Sequence, residues 1–421
     1  MTSSQPSANL PQADQISQVA VIGAGTMGRG IAISFANAGI HVTLLDLNQD
    51  VRQQALTYIE GVYAGMVKRE RISQADADAC LSRFTLSGDY QDIADVQLAI
   101  EAVYENLDLK KQIFAQLDDT LNADAILASN TSYLDIDAIA AATQRPSQVL
   151  GLHFFSPAHI MKLLEIVRGE QTAPAVIAMA EALGQRLSKV AVVSGNCHGF
   201  IGNRMLEPYV FQARRLLLEG ALPAQVDQAL QSWGMAMGPF RMYDVVGIDL
   251  EWRSRQLSGT VLEEGSDAEM NVRIDNRLCE MERFGQKSAQ GYYRYEAGSR
   301  EALVDDAVDA LVVEVSEAAG FTRRAISDDE ITTRCILALV NEGAKILEEG
   351  IARSSADIDK VYLNGYGFPK ERGGPMAYAD ELGLDRVLAA LEVLEQDHGS
   401  RWAPATLIRT LAANGGTFAA V

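Results

Sequence analysis

The first fifty residues constrain this chain most. Gln18–Ile22 is a short apolar run, and Gly23-Ala24-Gly25-Thr26-Met27-Gly28 follows at once. Residues 31–36 then read as helix, Gly39 ends it, and a second apolar run, His41–Leu45, closes on Asp46. Strand, glycine-rich turn, helix, strand and acid in this order predict a dinucleotide site, far more than the glycine spacing alone would. Gly23 permits the tight turn, Gly25 lets the backbone approach a pyrophosphate, and Gly28 lets the helix pack close to the sheet. Thr26 and Met27 lie in that turn as further cofactor contacts, and the N-terminus of the helix after it favours an anion through its free N–H groups and dipole. Asp46 sits where an acid accepts hydrogen bonds from the adenosine ribose hydroxyls and repels a 2′-phosphate. The expected cofactor is therefore NAD rather than NADP.

A helical hairpin is expected over residues 51–83. It carries Lys68-Arg69-Glu70-Arg71, one of the few basic clusters in the chain. That cluster reads either as a solvated helix face or as a contact for a phosphate-bearing substrate. Apolar runs at 96–100 and 125–128 end in polar residues. In open parallel sheets ligands bind beyond the carboxyl ends of strands. Glu105 and Ser132 are thus placed to line the cofactor crevice, unless they serve only as cap or loop residues.

Residues 148–155 form an apolar strand with one histidine, His153, and residues 162–167 a second with one carboxylate, Glu165. A charge in an apolar strand is costly unless paired, so Glu165 is expected to pair with His153. Alcohol oxidation by NAD needs a base for the hydroxyl proton, and imidazole titrates in the right range. A carboxylate on the other ring nitrogen would orient the ring and stabilise its charged form. A lone buried histidine is also often structural.

Asp plus Glu total 56 and Lys plus Arg 36, giving a net charge of -20. Such a surface disfavours nucleic acid and anionic membranes. No apolar run reaches the roughly 18 residues of a membrane span. Residues 1–15 are polar, read as a flexible tail, and lack the pattern of a signal peptide. Cys80, Cys197, Cys279 and Cys335 are scattered, without metal-ligand spacing, so no metal is expected and a reducing cytoplasm is.

The C-terminal half contains a weak repeat of about 130 residues, the self-similarity of a duplicated unit. Leu216-Leu217-Leu218-Glu219-Gly220 recurs as Ile346-Leu347-Glu348-Glu349-Gly350, Val226-Asp227 as Ile358-Asp359, and Gly238-Pro239 as Gly374-Pro375. Asp244 to Asp249 recurs as Asp380 to Asp385. Both copies have helical periodicity. Aligning Arg204 with Arg334 places Thr333 opposite Asn203, so the second copy is expected mainly to pack.

His153-Phe154-Phe155-Ser156-Pro157-Ala158-His159 with Met161-Lys162-Leu163-Leu164-Glu165 resembles the signature of L-3-hydroxyacyl-CoA dehydrogenases. Ser129-Asn130-Thr131-Ser132, Gly199-Phe200-Ile201-Gly202-Asn203-Arg204, Met237-Gly238-Pro239-Phe240 and Phe284-Gly285-Gln286-Lys287 also match. The resemblance runs from about residue 18 to 411 and is strongest to the dehydrogenase half of peroxisomal-type multifunctional β-oxidation enzymes. It implies a Rossmann-type α/β domain followed by two homologous all-α domains, acting as a dehydrogenase part without its hydratase. It also implies NAD-dependent oxidation of 3-hydroxyacyl-CoA, with His153 as general base and Glu165 as its partner. Ser132 and Asn203 would bond the substrate oxygen, and Glu105 and Lys110 would lie near the nicotinamide. An anionic CoA makes Lys68 and Arg69 candidate substrate contacts. Shorter members of the family pair the helical domain between subunits. A second copy within one chain therefore predicts a monomer, with a separate hydratase or thiolase as an open partner. The expected division is a tail at 1–15, a dinucleotide domain at 16–196, a helical substrate domain at 197–296, a linker at 297–324 and a second helical copy at 325–421. A dehydrogenase of free hydroxy acids and a non-catalytic NAD-binding protein are the rival readings.

Overall fold

The computed structural model describes residues 10–421, so the first nine residues of the expected tail lie outside the described residues. Residues 10–15 are anchored, unlike a flexible tail. Leu10 and Ala13 pack on the apolar core, and the Arg186 guanidinium donates to the carbonyls of Ala13 and Ile16.

Eight strands form one sheet: β1 (Gln18–Ile22), β2 (His41–Leu45), β3 (Phe84–Ser87), β4 (Leu98–Glu101), β5 (Ile126–Ser129), β6 (Val149–Phe154), β7 (Leu163–Arg168) and β8 (Val190–Gly195). Their order is β3-β2-β1-β4-β5-β6-β7-β8, and every neighbouring pair is parallel except β6 with β7. Side chains alternate across the sheet. Val19 and Val21 enter one core, and Ala20 and Ile22 enter the other. Both faces are covered, which is why the strands read as continuous apolar runs. Helices α1 (Thr26–Asn37), α2 (Gln49–Lys68) and α3 (Gln74–Leu81) cover the first face. Helices α4 (Leu107–Thr120) and α5 (Ile136–Ala140) cover the second, and α6 (Pro174–Arg186) returns to the first. The fold is a Rossmann-type α/β domain followed by a helical region.

That region comprises α7 (Gly202–Glu219), α8 (Pro223–Trp233), α9 (Pro239–Val246), α10 (Asp249–Ser258), α11 (Asp267–Glu280), α12 (Asp306–Ala318), α13 (Asp328–Glu348), α14 (Ser355–Gly365), α15 (Pro375–Leu382), α16 (Leu384–His398) and α17 (Thr406–Asn414). No helix among the described residues is long and apolar enough to cross a membrane.

The chain divides into two compact units that do not follow the expected segmentation. One is the described chain up to Asn203 together with Ile346–Tyr366; the other is Arg204–Lys345 with Gly367–Val421. In the first unit β8 is an edge strand with backbone groups to satisfy. The Gly195 amide donates to the Ile351 carbonyl (2.7 Å), and Ser194 bridges Ala352. Helix α14 lies against β7 and β8, and Arg353 pairs with Glu181 on α6 at 2.9 Å. A piece of the second copy thus completes the sheet unit.

The repeat shows in matching elements, of which α14 belongs to the first unit and the others to the second. Helices α8 and α14 each have 11 residues, and α9 and α15 each have eight. Asp244 accepts from the amides of Tyr292 and Tyr293, and its counterpart Asp380 from those of Phe418 and Ala419. Arg204 donates to Glu342 at 2.8 Å and Arg334 to Gln212 at 3.1 Å. Both arginines and both acceptors are spaced by 130 residues, so the pairing is reciprocal, as across a two-fold axis.

The expected linker at 297–324 is instead largely folded. Helix α12 buries Val308, Leu311, Val312 and Val315, spaced i, i+3, i+4 and i+7. Ser316 donates to the Leu218 carbonyl, and Arg323 to those of Leu217, Gly220 and Ala221, capping the end of α7. The acids among those valines hide an ordinary amphipathic helix.

Candidate active site

The turn after β1 is built by glycine at two positions. Gly23 has φ +98, and a Cβ there would lie 2.9 Å from the Ala102 carbonyl oxygen. A Cβ on Gly28 would lie 1.8 Å from the Gly23 oxygen, so the first turn of α1 sits directly on the loop. Gly25 differs: its φ is -70, and a Cβ would meet none of the described residues within 4 Å. It faces open space at the start of α1, whose N-terminus no side chain caps. Open backbone and uncapped N–H groups are what a pyrophosphate needs. Thr26 and Met27 form the first turn there. Asp46, just beyond β2, accepts from the Ala24 amide (3.0 Å) and the Asn48 amide (2.9 Å). Its carboxylate is therefore fixed at the mouth of the loop. These groups fit a dinucleotide.

An ionic cluster lies at the ends of β4 and β5. Glu101 is fully buried and accepts from the Lys110 ammonium (2.6 Å), the Ser129 hydroxyl (2.7 Å) and the Val103 amide (2.6 Å). Lys110 is itself only 1% exposed and sits 3.4 Å from Glu105. It lies under the crevice rather than facing it. Glu105 accepts from the Thr131 hydroxyl and from the amides of Ser132 (2.9 Å) and Tyr133 (3.2 Å). Glu105 thus sets the loop that carries Ser132, itself half-exposed.

His153 and Glu165 face each other directly in the antiparallel register of β6 and β7. The imidazole Nδ1 lies 2.8 Å from Glu165 Oε2. Glu165 is fully buried, and its Oε1 accepts from the amides of Ile201 (3.2 Å) and Gly202 (3.0 Å). One carboxylate therefore orients the imidazole and anchors the start of α7, where Asn203 follows. Phe155 and Phe200 flank the ring, with centroids at 4.4 and 5.7 Å. Phe200 has φ +53, is fully buried and belongs to the core below the sheet.

Lys68 and Arg69 are exposed at the last turn of α2, and no hydrogen bond or ion pair among the described residues ties them to His153. Met205 and Met235 are buried. A residue without any motif joins the cluster: Tyr366, just after α14, donates its hydroxyl to Asn203 Oδ1 at 2.8 Å. Its ring stands edge-on to Phe155 at 5.7 Å. Nothing in the sequence pattern marks it, because the contact spans 163 residues.

A dinucleotide loop and a carboxylate-held imidazole on two neighbouring strands of the same sheet define an NAD-dependent oxidoreductase. Residues 18–197 match the 3-hydroxyacyl-CoA dehydrogenase NAD binding domain, and residues 199–295 and 331–417 match the C-terminal domain of that family. The chain belongs to the 3-hydroxyacyl-CoA dehydrogenase family, and NAD is its cofactor. It is 45% identical over 390 residues to a peroxisomal bifunctional enzyme of Danio rerio, covering 90% of this chain and 53% of that protein. The chain spans about half the length of the curated relatives it matches. Among solved structures, 3-hydroxybutyryl-CoA dehydrogenase from Escherichia coli K12 aligns with TM-score 0.80 and 28% identity, covering 95% of this chain and 98% of that one. The dehydrogenase part of a multifunctional enzyme 1 from C. elegans aligns with TM-score 0.67 and 29% identity, covering 94% and 89%.

Proposed function

We propose that this chain oxidises L-3-hydroxyacyl-CoA to 3-oxoacyl-CoA, reversibly, as in fatty-acid β-oxidation. The observation that carries the reading is the 2.8 Å His153–Glu165 pair. With Nδ1 held by Glu165, Nε2 is left to take the proton from the 3-hydroxyl. Glu165 stabilises the imidazolium that forms. Ser132 and Asn203 donate to the same oxygen, offsetting alkoxide charge in one direction and polarising the ketone in the other. When bound, NAD supplies the hydride acceptor. Gly23, Gly25, Thr26, Met27 and Gly28 hold its pyrophosphate, Asp46 its ribose, and Glu105 faces the nicotinamide end. Lys110 acts from beneath, by holding Glu101 and Glu105.

Lys68 and Arg69 take the CoA phosphates in this reading, which their exposure supports. The reciprocal arginine hydrogen bonds between the helical copies support a monomer, since they occupy in one chain what two subunits would otherwise share. A separate hydratase or thiolase is a further partner. For location, the four free cysteines support a reducing compartment such as the cytoplasm. The peroxisome named for the Danio rerio relative is the second reading, and imaging of the tagged full chain separates them.

NADH absorbance with acetoacetyl-CoA and with free acetoacetate tests the reaction. Oxidation with the thioester alone is expected. Equal rates with the free acid would favour a hydroxy-acid dehydrogenase. Oxidation with neither, nor with longer acyl-CoAs, would leave only NAD binding.

A further inference from the structure

Asn203 can serve the reaction in only one of its two amide orientations. The substrate's C3 oxygen carries negative charge as its proton leaves, so it needs a donor. An amide turned by 180° would present Oδ1 to that oxygen and repel it. Something must therefore choose the orientation.

We propose that Tyr366 is the positioning residue that makes this choice, its hydroxyl holding Asn203 Oδ1 so that Nδ2–H points to the C3 oxygen. The proposal rests on the reading that Asn203 contacts substrate. The hydroxyl donates to Oδ1 at 2.8 Å. Burial above all, and then the nearby Glu165 carboxylate, hold the phenol well above its ordinary titration range, so it stays a donor at any assay pH. Its position is determined from several sides. The ring stacks on Tyr362 at 4.8 Å and stands edge-on to Phe155. Tyr362 in turn donates to the Gly202 carbonyl at 3.2 Å. Gly365, the residue before it, sits against Leu163 of β7, where a Cβ would come within 2.5 Å of the Leu163 side chain.

A second observation points the same way. A Cβ at Gly202 would lie 2.4 Å from the Tyr366 hydroxyl. Gly202 is the first residue of α7, where no turn requires glycine. The close approach of Tyr366 accounts for it. Packing alone would not need the hydroxyl, because phenylalanine offers the same ring. In the repeat, α14 aligns with α8, so Tyr366 falls opposite Gly234. The second copy carries this function and the first does not.

The test is steady-state kinetics on the full chain with three variants: Tyr366→Phe, Asn203→Ala and the double variant. Tyr366→Phe should lower kcat about tenfold, with NADH affinity and thermal midpoint near wild type. In the Asn203→Ala background the same change should add less than about twofold, because the two residues act as one unit. Full turnover in Tyr366→Phe, alongside a large loss in Asn203→Ala, would overturn the proposal and leave the Asn203 reading intact. A tenfold loss repeated in the double variant would also overturn it, since the tyrosine would then act elsewhere. Near-normal turnover in Asn203→Ala would remove the reading of Asn203 itself and the proposal with it.

Discussion

Glu165 receives three donors at once, from the His153 ring and from the amides of Ile201 and Gly202. Its two oxygens therefore do different work, and substitutions at the pair should separate. His153→Gln removes the proposed base but keeps a residue of similar reach. Turnover should fall by about 10²–10⁴, with NADH binding retained by fluorescence titration. Survival within a few-fold would mean that another group takes the proton. Glu165→Gln keeps one acceptor oxygen and the shape, so a smaller kinetic loss is expected. Glu165→Ala strands two buried amides at about 1–3 kcal/mol each, so its thermal midpoint should drop clearly below that of Glu165→Gln. The pair itself is legible in sequence, because one ionisable residue stands out in each apolar strand. The other duties of Glu165 are not, since backbone amides carry no residue signature. Nor is the burial of Lys110 between Glu101 and Glu105, which a surface-type residue conceals.

The glycine loop shows how one element answers to two demands. Gly28 is required by the protein, since a Cβ there would collide with the Gly23 oxygen. Gly25 is required by nothing among the described residues: its backbone is ordinary and a Cβ would meet none of them within 4 Å. Gly25→Ala should therefore leave the unfolding free energy within about 0.5 kcal/mol of wild type while weakening NADH binding at least tenfold. Gly28→Ala should lose stability first, by roughly 1–3 kcal/mol, measured by urea unfolding. Unchanged NADH affinity in Gly25→Ala would place the pyrophosphate elsewhere. At this scale the sequence is most readable where period and punctuation agree, as at β1, β2 and the turn between them. It is least readable at α12, where Asp306, Asp309 and Glu314 interrupt the eye but not the apolar face. Strand ends shift by a residue or two, because polar residues can still donate to the ladder.

Across the whole molecule the duplication has been put to two uses. In the helical unit the copies pair with each other: Arg334 is 1% exposed and reaches Glu219 and Gln212, and Arg204 reaches Glu342. In the sheet unit the second copy lends Ile346–Tyr366, which closes the β8 edge and brings Tyr366 to Asn203. Neither use can be read from local pattern, since each joins residues more than 100 positions apart; only the repeat hints that partners exist. The ionic part of the pairing gives the last prediction. Because the paired faces are already satisfied within one chain, sedimentation equilibrium should give the mass of a single chain across micromolar concentrations. Arg334→Met would leave Glu219 poorly paired in a mostly buried site, where breaking one partner costs about 3–5 kcal/mol. Spread over a unit of this size, that should lower its unfolding midpoint by roughly 6–20 °C. The sheet unit should keep its NADH affinity, because Arg334 belongs to the other compact unit. A stable dimer of the wild-type chain would show that the helical copies still present a face to a second molecule, and the internal pairing would then not replace it.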